Sequence, residues 1–326
     1  EKLVVAVYVD DLLITSTSSD VIEVFKSQMK ARFEMSDLGK LSYYLGIEVV
    51  QGEGFIELKQ GGYARKILEK AGMADCNPTK YPMDPKEQLS RDEPGKLVDA
   101  TNYKSMVGGL RYLVHTRPDI AYSVGVVSRY MEKPTKKHLD AVKRILRYIK
   151  GTIQYGLVYS KDSGNNILTG FSDSDLGGQV DDRKSTGGMI FYLNESAITW
   201  VSQKQKCVAL SSCEAEFMAA TAAACQGIWL RNILSRITSE AVGPVVLYID
   251  NRSAIDLAKN PMFHGRSKHI DIRFHFIREC VERGEVVLKH VCSSDQRADI
   301  LTKGMATIRF EKMRRLLGVK NLGRQL

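Results

Sequence analysis

Four acids stand where an apolar stretch ends or a helix begins: Asp173 in GFSDSD, Glu216 in SSCEAEFMAA, Asp250 in VVLYIDN and Asp299 in DQRADILTK. Carboxylates brought together repel one another, and each raises its neighbours' pKa until a cation neutralises them. Oxygen-only ligands suit Mg²⁺ or Mn²⁺, hard ions that keep waters and accept the phosphate oxygens of a substrate. Two such ions about 4 Å apart activate a water and stabilise the leaving oxygen in phosphodiester hydrolysis. Spacing alone does not show convergence, since the chain has 38 acids and most acids in a folded protein are surface charge. A second grouping, Asp10 and Asp11 in YVDD, lies between two apolar runs, the pattern of a hairpin with carboxylates at its tip.

Convergence depends on the elements that carry the acids. From Asn166 onward, ILTGFSDSD, GGMIFYL and AITWVSQ read as three successive strands, and residues 213–237 as a long helix. VVLYID is a fourth strand, residues 252–259 and 271–283 are helices, GEVVLKHV is a fifth strand, and a short helix over 295–303 precedes a basic tail. Three strands in a row followed by strand and helix alternation predict an α/β fold, one mixed five-stranded sheet with flanking helices. Period-two alternation puts Asp173 on the side of Phe171 and Thr169. Glu216 falls in the first helical turn, where Ser211 and Glu214 form a capping box. It heads a stripe of small residues, Ala220, Ala223 and Gly227, that lets the helix approach the sheet. Asp250 ends a strand at its carboxyl end, where open α/β sheets place their chemistry. Ser293, with Gln296 in the third position, is the expected cap of the helix carrying Asp299.

The earlier half has a different grammar. After the YVDD hairpin, residues 20–33 have helical spacing and GKLSYYLGIEVVQGEGFIELKQ alternates like paired strands, a small α+β unit. Residues 77–100 hold four of the eight prolines among charged side chains and read as a linker. In LDAVKRILRYIK, Leu139, Val142, Ile145, Leu146 and Ile149 share one helix face and leave Lys143, Arg144, Arg147 and Lys150 on the other. Two readings of that basic face stand, a solvated surface or contact with phosphates.

The formal net charge is +9, divided as −4 over the first hundred residues and +13 beyond them, which favours a polyanionic partner held mainly by the later part. Six scattered cysteines without a CxxC pair point to reduced thiols and away from zinc. No apolar run approaches the roughly 18 residues needed to span a bilayer, and no secretory signal pattern opens the chain. The expectation is a soluble, intracellular protein. An opening Glu1 in place of Met reads as a fragment or processed product.

Ten ordered motifs, YVDDLLI, LSYYLGIEV, YKSMVGGLRYLVHTRPDIAYSV, AVKRILRYIKGT, GFSDSDLGG, RKSTGGMIF, ALSSCEAEFMAA, YIDNRSAIDLAKNP, SKHIDIRFHFIRE and DQRADILTK, resemble the end of the polyprotein of plant copia-type LTR retrotransposons. The resemblance runs over nearly the whole chain. It implies a truncated reverse transcriptase palm (residues 1–80), a helical thumb or connection region (81–160), a ribonuclease H domain (161–305) and a basic tail (306–326). Carried over by motif, Asp173, Glu216, Asp250 and Asp299 match the family's four metal-binding acids, and Asp10 and Asp11 its polymerase metal pair. His290 resembles a loop histidine used in proton transfer or product release. Asp175 and Glu214 rank as supporting or capping groups. The run from His264 to His275 matches a family signature of underived role and makes a poor zinc site. Leu176 stands where the family usually has Trp.

The resulting expectation is a two-metal hydrolase, a ribonuclease H with Mg²⁺ or Mn²⁺ that cleaves the RNA strand of RNA/DNA hybrids, the hybrid also touched by Lys143, Arg144, Arg147 and Lys150. Its implied partner is the remainder of the polyprotein, in the cytoplasm, in virus-like particles or in the nucleus. Polymerisation is not expected, because a further palm Asp would precede Glu1. The alternatives are a catalytically inactive, nucleic-acid-binding remnant and, less compatible with the palm and connection motifs, a transposase or integrase nuclease.

Overall fold

The computed structural model describes residues 2–161, 166–259 and 268–323, and of residues 268–274 the backbone alone. The first strands, β1 (Leu3–Tyr8) and β2 (Asp11–Ser16), pair antiparallel through a two-residue turn, with Tyr8 opposite Asp11. Helix α1 (Ser19–Lys30) follows. No described residue before Val49 is buried, so these three elements have secondary structure without a core. Where the sequence alternates like paired strands, β3 (Tyr43–Tyr44), β4 (Ile47–Gly52) and β5 (Phe55–Lys59) pair antiparallel in turn, and helix α2 (Gly61–Lys70) buries Ala64, Ile67 and Leu68. The packing break therefore lies near residue 42, while the expected boundary at residue 80 coincides with no gap in packing.

Helices α3 (Ala100–Leu113), α4 (Ala121–Val127) and α5 (Lys136–Gly151) build the middle of the chain, and strand β6 (Tyr155–Ser160) leaves α5 to pair with β5. α5 buries the apolar face read from its sequence, with Val142, Ile145, Leu146 and Ile149 inaccessible. The supposed linker at 77–100 is docked: Met83 and Leu89 are buried, and the Tyr130 hydroxyl donates to the Leu89 carbonyl at 2.6 Å. Its prolines break helix and strand without preventing packing, because scattered apolar side chains still reach the core. Within the helical middle, buried Arg117 makes a two-pronged pair with buried Asp119 at 2.9 and 2.8 Å, and the Tyr148 hydroxyl donates to Asp119 at 2.6 Å. A buried ion pair persists only when its remaining polar atoms are also satisfied, and Thr152 supplies a carbonyl and a hydroxyl to Arg117.

The later half follows the expected grammar closely: β7 (Leu168–Ser174), β8 (Thr186–Leu193), β9 (Ser196–Lys204), α6 (Ser212–Thr238), β10 (Val245–Ile249), α7 (Arg252–Lys259), α8 (Lys268–Glu282), β11 (Val286–His290), a 3-10 helix (Arg297–Leu301), α9 (Thr307–Leu316) and β12 (Val319–Asn321). The sheet order is β11-β10-β7-β8-β9, with β7 parallel to β10, β10 parallel to β11, and β7, β8 and β9 antiparallel in turn. This is the mixed five-stranded sheet with flanking helices that the strand and helix grammar predicts.

Both faces of this sheet are covered. Phe191, Val245, Leu247 and Ile249 pack with Phe217, Ala220 and Ala223 of α6 and with Ile255 and Ile277 of α7 and α8. Phe171, Ile190 and Tyr192 share the other core with the helical middle, together with Leu110, Val124, Ile145 and Leu301. A boundary at residue 160 therefore marks a change of sequence pattern across a continuous core.

Residues 306–326 are no free tail, as far as residue 323. Phe310, Met313 and Leu317 recur at helical spacing and are buried, and β12 pairs with β6. The tail reading weighed the segment's basic residues and missed this apolar stripe. β12, β6, β5, β4 and β3 thus form a second sheet that joins the start, middle and end of the chain.

Candidate active site

Asp173 is the sixth residue of β7 and is 2% exposed. Its partner across the ladder is Gly188, where an added Cβ would stand 2.8 Å from both Leu301 and Thr302. The missing side chain lets the 3-10 helix lie against the strands and bring the Thr302 hydroxyl to donate to Asp173 Oδ2. On the other face, Gly227 plays the same part for α6, since a Cβ there would meet Val245 at 2.8 Å and Phe191 at 3.0 Å. That approach carries Glu216, 5% exposed, to β7, where its Oε1 accepts from the Ser174 amide at 3.1 Å. Asp250 follows β10 directly, because the Asn251 side chain accepts from the Ala254 amide at 3.0 Å and starts α7 there. Asp173, Glu216 and Asp250 each offer an oxygen within 4.8 Å of the others.

Burial dominates the electrostatics of this trio. It pushes Glu216 up to about 10, with the charges of Asp173 and Asp250 adding to it. It pushes Asp173 up to about 6 even though Lys303 pulls the other way. Glu216 Oε2 is buried and has no hydrogen-bond partner among the described residues. Protonated carboxylic acids, or a cation that restores their charge, are the two ways to relieve such a cluster. Three convergent carboxylates, one of which has an otherwise unsatisfied oxygen, fit a hard divalent ion.

The fourth acid is placed differently. Asp299 is fully buried on the 3-10 helix; its Oδ1 is 2.7 Å from Lys303 Nζ, and its Oδ2 accepts from Arg309. Lys303 Nζ is also 3.8 Å from Asp173 Oδ2, so Asp299 joins the trio through a lysine. Ser293 does not cap this helix. Gln296 does, accepting from the Ala298 amide at 3.2 Å and donating to the Ser172 carbonyl at 2.9 Å, while Ser293 Oγ donates to Asp250 Oδ2 at 3.0 Å. Gln296, longer by a methylene than a usual cap, is needed because the helix must also be tied to β7.

The remaining candidate residues divide clearly. Asp175 accepts from the Thr186 amide and Glu214 from the Leu210 amide, with Ser211 Oγ capping the Glu214 amide at 3.1 Å. His290 is exposed at the end of β11, paired with Ile249 next to Asp250. Asp10 and Asp11 are exposed on their hairpin, where Val9 adopts φ +53°, a conformation β-branched residues rarely take. Of the basic face on α5, Arg144 stacks on Tyr81 and pairs with Asp84 at 3.6 Å, Arg147 donates to the Asn77 carbonyl at 2.8 Å, and Lys150 donates to the Ala74 carbonyl. Those three hold the 74–84 segment onto the helix, and among the described residues Lys143 has no such contact. Leu176 is exposed. His275 is exposed on α8, whereas His264 and the His269 side chain lie outside the described residues.

Sequence reasoning missed Thr302, Lys303, Arg309 and the role of Ser293. Lys303 lies four residues after Asp299, a spacing that puts two helical side chains on one face, so its pairing was legible. Arg309 reaches back from a separate helix and left no local signal.

Residues 1–85 match the family described as reverse transcriptase (RNA-dependent DNA polymerase). The chain is 40% identical over 314 residues to the retrovirus-related Pol polyprotein from transposon RE1 of Arabidopsis thaliana, covering 96% of this chain and 21% of that one. It thus spans about a fifth of that polyprotein. It is 34% identical over 221 residues to a protein of transposon Ty5-1 from Saccharomyces cerevisiae, covering 67% of this chain and 71% of that one. Among solved structures, LC11-RNase H1, isolated from compost, superposes with a TM-score of 0.33 at 14% identity, covering 45% of this chain and 98% of that one.

Proposed function

The chain belongs to the retrovirus-related Pol polyproteins of copia-type transposons, and from that premise we propose that it is the ribonuclease H part of such a polyprotein, hydrolysing the RNA strand of RNA/DNA hybrids with a divalent metal. The observation that carries the reading is the trio of Asp173, Glu216 and Asp250, with oxygens within 4.8 Å of one another, on a ribonuclease H-like sheet.

Asp173, Glu216 and Asp250 would hold Mg²⁺ or Mn²⁺, with Asp299 beside them as the ligand for a second ion. When bound, the metal supplies an activated water and charge to stabilise the leaving 3′ oxygen. The chain's own groups prepare the place. The Ser174 amide and the Ser293 hydroxyl orient Glu216 and Asp250, and Thr302 orients Asp173. Orientation by neighbouring hydrogen bonds matters to metal affinity nearly as much as the ligands do. His290, open to solvent beside the strand that ends at Asp250, is the group proposed to move a proton or assist product release. The 2′-hydroxyls of the hybrid distinguish RNA from DNA. On α5, the phosphate contact proposed from the sequence narrows to Lys143. The rest of the polyprotein is the proposed partner, and the cytoplasm or nucleus the proposed setting.

Incubating the purified chain with end-labelled RNA/DNA hybrid and Mg²⁺ tests the proposal. RNA-strand cleavage that disappears in Asp250→Asn is expected. A well-folded chain that binds hybrid and leaves it intact would favour the inactive-remnant alternative.

A further inference from the structure

The four acids are not equivalent in this structure. Glu216 Oε2 is buried without a partner, and Asp250 receives only the Ser293 hydroxyl among the described residues. Asp299 has a cation at each carboxylate oxygen, Lys303 at 2.7 Å and Arg309 on the other side. Lys303 stands between Asp299 and Asp173, with its Nζ 3.8 Å from Asp173 Oδ2. Its backbone is anchored as well, since the Lys303 amide donates to the Asp299 carbonyl at 3.2 Å. The lysine side chain nonetheless remains 44% exposed, so its flexible stem has an open path to solvent.

We propose that Lys303 is an internal cation that occupies the place between Asp173 and Asp299 where a second divalent ion would bind. The free chain then binds one ion, at Asp173, Glu216 and Asp250, and a second enters only when Lys303 is displaced. An ammonium in direct contact with Asp299 and a dication on the same carboxylate repel each other at close range, and burial weakens the screening between them. The device gives buried Asp299 a counter-charge without metal, and it makes loading of the two positions sequential. It rests on the metal-binding reading above and concerns only the number of ions.

The test is a count of Mn²⁺ bound by the full chain without nucleic acid, by titration calorimetry and by paramagnetic resonance of free Mn²⁺, using MnCl₂ alone. Wild type should bind one ion. Lys303→Met should bind two, the second at least about tenfold more tightly than any second ion on wild type. Lys303→Met with Asp299→Asn should return to one, and Lys303→Arg, which keeps the charge, should also bind one. Two equally tight ions on wild type, or one on a folded Lys303→Met chain, would overturn the proposal. Should Lys303→Met fail to fold, Lys303→Gln takes its place with the same counts expected, two ions alone and one with Asp299→Asn. No ion on wild type would instead sink the metal centre itself.

Discussion

Asp10 lies in a two-residue turn and Asp11 directly after it, both open to solvent, whereas Asp173 and Glu216 are buried where two strands meet a helix and a 3-10 helix. Both groupings consist of carboxylates close in space or in sequence. Solvent hydrates the first and screens its repulsion, so the hairpin asks for no counter-ion. The second is desolvated, which raises Asp173 and Glu216 and leaves an oxygen of Glu216 unsatisfied. The difference teaches that acid spacing alone does not make a metal centre; the scaffold that removes water does. β1, β2 and α1 have no buried residue to supply such a scaffold among themselves, while the later sheet is covered on both faces.

The comparison can be broken most sharply by activity. Asp250→Asn should lower hybrid cleavage on the order of 10² to 10³-fold, the scale of losing one preorganised charge-stabilising group. Asp10→Asn with Asp11→Asn should leave cleavage unchanged, and a matching loss would erase the distinction between the two groupings. Next in size is cation-dependent stability. Mg²⁺ at about a hundred times its dissociation constant should stabilise the chain by about 2.7 kcal/mol, read as a rise in melting temperature that persists in the Asp10 and Asp11 variant and vanishes in Asp173→Asn.

Gly188→Val should destabilise by about 1–3 kcal/mol, because the new side chain meets Leu301 and Thr302 and must push the 3-10 helix away. Val7→Thr, on the exposed hairpin strand, should stay within about 0.5 kcal/mol. Denaturant unfolding compares the two directly.

The pH response has a definite sign. Asp173 is pushed up to about 6 and Glu216 to about 10 in the metal-free chain, above unfolded values of roughly 4. Between those limits the folded state holds more protons than the unfolded one, so stability falls as pH rises. The fall runs from about pH 4 to 6 for Asp173 and continues upward for Glu216, by at most about 1.4 kcal/mol per unit for each group. Melting temperatures of metal-free chain should therefore drop between pH 5 and 8, and Mg²⁺ should flatten the curve. A rise across that window would contradict a desolvated cluster. A small effect is expected at α5: Arg147→Ala should cost about 1 kcal/mol of stability through the lost contact with Asn77, with hybrid affinity unchanged in a salt titration.

Much of the later half was legible because its elements obey local rules. Alternation along β7 placed Asp173, the stripe from Glu216 to Gly227 announced close helix packing, and Asn251 marked the strand end that presents Asp250. The errors share a cause. Ser293 looked like a cap because cap residues are recognised by type, yet its hydroxyl serves Asp250 across 43 residues. The basic side chains of α5 looked free because the segment that engages them lies some seventy residues earlier. Residues 306–323 looked like a tail because their partner strand, β6, is more than 150 residues away.

By itself the sequence determined the order and type of the elements and which acid each one carries, because propensity, capping and periodicity act over a few residues. Only the tertiary structure decided which carboxylates meet, that both oxygens of Asp299 are met by Lys303 and Arg309, and that the YVDD pair is exposed. Distance and desolvation are set by strand pairing and by close approach at Gly188 and Gly227, which bring together residues far apart along the chain.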